Sequence, residues 1–98
     1  MKVVYGVPWI EIESGWGSRP EGWKIFSDEQ KCIESTKESS EDGPCEGGYI
    51  GPERPLRYFK IPLESLDKEM QKEIKKSGSA WSENYWAPEF RDNGTSIT

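Results

Sequence analysis

Four carboxylates stand where a helix would bring them to one side: Glu34, Glu38, Glu41 and Asp42, spaced i, i+4, i+7 and i+8. With a rise of about 1.5 Å per residue, successive members of such a row sit about 6 Å apart. Like charges at this spacing cost a helix roughly 0.2–0.5 kcal/mol per pair. Lysines at these positions would avoid that cost, and residues 68–76 do carry Lys68, Lys72, Lys75 and Lys76. Phosphates along a nucleic-acid strand repeat at a comparable distance, so the row can offer a basic nucleic-acid-binding protein what a phosphate backbone offers it. The plainer alternative is a solvated acidic face whose effect is solubility.

The charge balance points to the same segment. The chain has 98 residues, with 13 Lys+Arg against 18 Asp+Glu and a net charge of −5. Residues 1–27 and 47–98 are each neutral. Residues 28–46 hold Asp28, Glu29, Glu34, Glu38, Glu41, Asp42 and Glu46 against Lys31 and Lys37, which is the whole excess. The acidity is one block.

Other chemistries are thinly represented. The sequence contains no histidine, which removes Ser-His-Asp triads, Cys-His dyads and histidine metal sites. Cys32 and Cys45 are too far apart for a C-x-x-C motif and too few for structural zinc, so no cofactor or metal is expected. One disulfide between them is open, but the expected setting is a reducing cytoplasm with free thiols. Residues 1–10 are a short apolar run containing Pro8 without a small-residue cleavage site, so no signal peptide is read there. No segment approaches the roughly 20 apolar residues of a membrane span. Carboxylate pairs such as Glu11 with Glu13, or Glu53 with Glu64, are the one formal route to acid-base catalysis. So small a chain leaves little room for the pocket this needs, and the expectation is a protein without enzyme activity.

Five tryptophans are the remaining resource. Trp9, Trp16 and Trp23 recur every seven residues, yet Pro8, Gly15, Gly17, Pro20 and Gly22 exclude a helix there. Trp9 and Trp23 have strand-like neighbours and read as core. Trp16 lies in a Gly/Ser loop and reads as an anchor for a partner, because exposed aromatics are favoured interface hot spots. Trp16, Trp81 and Trp86 could equally stack on a sugar or nucleotide.

The elements that must position these residues are few. Leu, Ile, Val and Phe number only 17, so the core is thin and aromatic. Residues 2–7 and 9–13 read as strand interrupted at Pro8, an edge or a bulge. Residues 14–22 read as a loop and 23–26 as a short strand. Ser27 with Gln30 forms a capping-box pattern for a helix over 28–40, with Cys32, Ile33 and Thr36 on its buried side. Residues 47–55 read as a loop without a phosphate-binding motif, and 56–63 as a third strand. Ser65 or Asp67 can cap a helix to about residue 76, with Leu66, Met70 and Ile74 as its apolar stripe and Gly78 beyond. Residues 81–87 suggest one helical turn, and 91–98 a frayed polar tail. The expected architecture is α+β: one domain over residues 1–90, with a small, three-stranded, mainly antiparallel sheet, two helices and a short C-terminal helical turn.

The compact start at residues 1–13, the capped acidic helix from Ser27, and the segment Arg54-Pro55-Leu56-Arg57-Tyr58-Phe59-Lys60-Ile61-Pro62-Leu63 together resemble, in style, the small acidic early proteins of bacterial viruses. That resemblance implies a host-takeover protein acting in the host cytoplasm by binding a host protein. Some members of the class imitate DNA and block nucleoid or restriction proteins. The expectation is a noncatalytic inhibitor that binds a basic host DNA-binding protein through Glu34, Glu38, Glu41, Asp42, Glu46 and Trp16, and neither nucleic acid nor membrane directly. A homodimer would double the acidic block and complete the thin core. The alternative is a small-ligand module for a nucleotide or sugar, built on surface tryptophans.

Overall fold

In a computed structural model of the chain, residues 2–13, 15, 17–40, 48–83 and 94–97 are described. The fold is α+β, but the sheet has six strands among the described residues, not three. Strand β1 (Val3–Glu13) forms a long antiparallel hairpin with β2 (Gly17–Phe26), and helix α1 (Glu29–Ser40) follows. Strands β3 (Tyr49–Pro52) and β4 (Arg57–Pro62) come next, then helix α2 (Lys68–Ser77), β5 (Ser79–Ser82) and β6 (Thr95–Ser96). The sheet order is β5-β2-β1-β4-β6, with β3 also paired to β1.

The additional strands arise from pairing partners, which override local composition. Gly15 and Gly17 take the left-handed backbone (φ 84° and 86°) that a tight hairpin needs, so residues 17–22 pair with β1 where a loop was expected. Pro20 is tolerated because β5 pairs only with Trp23–Phe26, leaving Pro20 on a stretch of β2 without an outer neighbour among the described residues. Thr95 and Ser96, in the segment expected to fray, pair with Tyr58 and Arg57, and Ile97 beside them is buried. Trp81, expected on a helical turn, lies in β5 opposite Lys24. Ser82 of the same expected turn is also in β5, and residues 84–87 lie outside the described residues.

Pro8 is not at an edge either, since β1 is the central strand and runs straight through it. The β1 register with β4 ends at Gly6↔Phe59 and the register with β3 begins at Trp9↔Pro52. The Pro8 carbonyl accepts from Glu53 N (2.8 Å) on that side. A strand residue directs its N–H and C=O to the same neighbour, so the proline nitrogen faces the gap where one partner gives way to the next. No ladder donor is needed there.

Two apolar clusters lie on opposite faces of the sheet. Val4, Trp23, Ile25, Phe59, Ile61 and Leu63 pack with Leu66 and Ile74, and Met70 of α2 joins them. Val7, Phe26, Tyr58 and Ile97 pack with Cys32 of α1, with Ile33 alongside. The α1 stripe and Met70 with Ile74 of α2 therefore sit where their spacing placed them, whereas Leu66, expected in the helical stripe, packs into the cluster from extended backbone just before the Asp67 cap. Asp67 caps α2, accepting from Met70 N (2.8 Å), and Gly78 closes it in the left-handed conformation. Helix α1 is capped by Asp28, whose Oδ1 accepts from Gln30 N (3.0 Å). Ser27 does not cap: its N–H (2.9 Å) and Oγ (3.3 Å) both donate to the Gly78 carbonyl beyond α2.

Candidate functional site

Glu34 and Glu38 sit one turn apart on α1, both exposed. The rest of the expected partner set, namely Glu41, Asp42, Glu46 and Trp16, lies outside the described residues, as do Cys45 and Trp86. Gln30, expected to complete the capping box, instead donates through Nε2 to Glu34 Oε1 (3.1 Å). Glu34 and Glu38 form one wall of a groove of about 360 Å³. Lys31 stands beside them, and the opposite wall comes from Lys24 and the 77–79 turn. Glu34 and Glu38 thus share a groove with a lysine that only the sheet could bring there.

A larger cleft of about 580 Å³ adjoins this groove and shares Lys24, Ser77 and Ser79 with it. Its apolar walls are Trp9, Ile50 and Trp81, and its acids are Glu21 and Glu73. Sheet geometry explains the meeting of the two indoles. Trp9 lies opposite Gly22, and Trp81 opposite Lys24 on the next strand, so both rings project to one face. Gly22 offers no side chain, and Trp81 settles over it: a Cβ there would stand 2.6 Å from Trp81 Cζ2. The rings meet edge to face with centroids 5.7 Å apart at 87°. Trp81 remains 42% exposed and Ile50 61%. Trp23 is core as expected, whereas Trp9 is only half-buried and faces this cleft. Lys24 Nζ stands 5.7 Å from the Trp9 ring centroid and 5.6 Å from that of Phe26, at cation–π distance from both.

The acidic rim has its own order. The β1–β2 register slips between Trp9 and Ile10, passing from Gly22 to Pro20, so Glu21 is the extra residue of a bulge. Arg19 donates to Glu11 through Nε (3.2 Å) and Nη2 (2.9 Å), and reaches Glu13 at 3.4 Å. The Arg19 hydrogen bond holds the Glu11 carboxyl below its ordinary range, while the hydrogen bond with Glu11 pushes Glu21 up. The signs are opposite. A depressed Glu11 stabilises the fold above its unfolded pKa and loses that effect as pH falls. A raised Glu21 stabilises it below the ordinary carboxyl pKa and loses that effect as pH rises through the shifted value. Glu21→Gln keeps a donor toward Glu11 without the second charge. Thermal melts should therefore show a higher Tm for this variant at neutral pH, with the difference vanishing below the carboxyl range. Equal melting temperatures at every pH would contradict the pairing.

Of the carboxylate pairs considered for acid-base work, Glu11 and Glu13 share Arg19. Glu53 and Glu64 do not meet: Glu53 N bonds to Pro8 while Leu63 N bonds to Lys2, six residues away along β1, a span of roughly 20 Å. Burial pushes the Cys32 thiol up to about 12, leaving it protonated and unreactive at neutral pH. Among the described residues, no helix is long and apolar enough to cross a membrane. The shared face of Glu34 and Glu38 was legible from helical spacing alone. The contributions of Lys24, Glu21, Ile50 and Glu73 were not, because they follow from sheet register and a bulge. No protein-family model, curated protein or solved structure matches the chain.

Proposed function

We propose that the protein is a noncatalytic binding domain that inhibits a basic, nucleic-acid-binding protein, working in a reducing cytoplasm, with the acidic side of α1 standing in for a stretch of phosphates. The observation that supports this most is a convergence of charge from three elements on one face. Glu34 and Glu38 of α1, Glu21 of β2 and Glu73 of α2 line two adjoining hollows, against Lys24 and Lys31. Exposed Ile50 and Trp81 in the same surface supply apolar area of the kind that anchors protein interfaces.

The test uses a purified basic bacterial nucleoid protein as the probe. Titrated against the wild-type chain, it should bind at low salt and release steeply between about 10 mM and about 150 mM, as the Debye length shortens from about 30 to about 8 Å. The double reversal Glu34→Lys with Glu38→Lys should cost at least about tenfold in Kd, on the order of 1.4 kcal/mol, with the fold unchanged by circular dichroism. Unchanged affinity in that variant would sink the idea.

A second reading has one observation in its favour. A cleft of about 580 Å³ flanked by two indoles falls within the size range of small-ligand sites, so a sugar or nucleotide remains the alternative occupant. Quenching of tryptophan fluorescence by such a ligand, insensitive to ionic strength, would favour it.

A further inference from the structure

The Trp9–Trp81 cleft combines features that select among ligand chemistries. Its acids, Glu21 and Glu73, outnumber Lys24, its one cation among the described lining residues. An anionic phosphate would therefore meet net repulsion, and a neutral sugar would gain nothing from the charges. Two indoles set edge to face, with part of the Trp81 ring open to solvent, leave a π surface on which a cation can lie. Lys24 already uses one such surface, its ammonium 5.7 Å over Trp9. A guanidinium fits what is left better than a second ammonium. It is planar, weakly hydrated, stacks on an indole, and can donate in-plane to carboxylates at the rim.

We propose that this cleft is the receptor for an arginine side chain of the basic partner, stacked on Trp81 and hydrogen-bonded to Glu21 and Glu73. The inference rests on the proposed function, because it supplies the specific anchor within that encounter. It also assigns Lys24 a definite role: as a like charge in the same cleft it weakens the arginine site and favours release.

The test uses a fluorescein-labelled Gly/Ser peptide carrying arginines, together with its lysine and citrulline counterparts, read by anisotropy. Citrulline keeps the shape and removes the charge. Arginine should bind best, with citrulline weaker by about tenfold or more. Trp81→Ala should cost the arginine peptide roughly five- to thirtyfold. Trp81 is substantially exposed, so that variant should fold; the pair Glu21→Gln with Glu73→Gln provides an independent loss that removes charge while keeping side-chain shape. Lys24→Met should tighten arginine binding several-fold, the opposite of what a phosphate site would show for its own ligand. Equal binding of citrulline, or weaker arginine binding in Lys24→Met, would overturn the assignment. Two outcomes separate this inference from the reading beneath it. If Glu34→Lys with Glu38→Lys abolishes nucleoid-protein binding while Trp81→Ala and the double Gln variant change nothing, the arginine site is wrong and the function stands. If the arginine peptide binds as expected but the nucleoid protein does not bind at all, the cleft stands and the inhibitor reading fails.

Discussion

Trp23→Ala should bring the protein to the edge of unfolding at room temperature. Trp23 is fully buried in the cluster that joins the sheet to α2, and its ring meets Phe59 edge to face at 5.4 Å. It also lies across β1 at Gly6, where a Cβ would stand 3.1 Å from Trp23 Cε3, so its removal opens space beneath the central strand. Truncating a buried tryptophan costs about 3–5 kcal/mol, set against a total stability on the order of 5–15 kcal/mol for a chain of this length. A urea titration followed by far-UV circular dichroism should show the midpoint falling by a fifth or more, the share that about 3–5 kcal/mol takes of about 5–15 kcal/mol. Trp81→Ala is the control: the same substitution at a residue 42% exposed should move the midpoint little. Similar midpoints for wild type and Trp23→Ala would mean that the core lies elsewhere.

Gly22→Ala should do two kinds of damage at once. The added methyl would run into the Ser82 carbonyl, which is backbone and cannot swing aside, and would stand 2.6 Å from Trp81 Cζ2. Strand β5 would have to draw away from β2, and Trp81 would leave its seat beside Trp9. Overpacking of this kind costs about 1–3 kcal/mol, read as a lower urea midpoint. Near-UV circular dichroism should change in the same variant, because the edge-to-face coupling of the two indoles is lost. A variant with lower stability but an unaltered near-UV spectrum would show that the pair does not depend on the glycine.

The helices and the first strand were legible because each carries its own periodic signal. Met70 and Ile74, bounded by Asp67 and Gly78, define α2 without reference to the rest of the chain. Cys32, Ile33 and Thr36 likewise mark the inner side of α1, and the acids Glu34 and Glu38 follow on the outer side. The three-stranded sheet was wrong because short strands take their identity from a partner. Residues 17–22 have the Gly, Pro and Ser content of a loop, and only the long β1 beside them supplies a ladder to join. Tyr49–Pro52 and Ser79–Ser82 are four residues each, too brief for alternation to register. The cleft inherits that opacity. Trp9, Gly22, Lys24 and Trp81 become neighbours through the pairing of three strands, a relation with no trace in sequence spacing.

The two hydrogen bonds from Ser27 to the Gly78 carbonyl join the start of one helix to the end of the other. Glu34 and Glu38 hang from the first of these junctions, while Ser77, Ser79 and Glu73 hang from the second. The opposite walls of the proposed surface are therefore tied to each other through a single carbonyl. A partner of the proposed kind would meet two helix ends already joined, which lowers the backbone freedom to be lost on association.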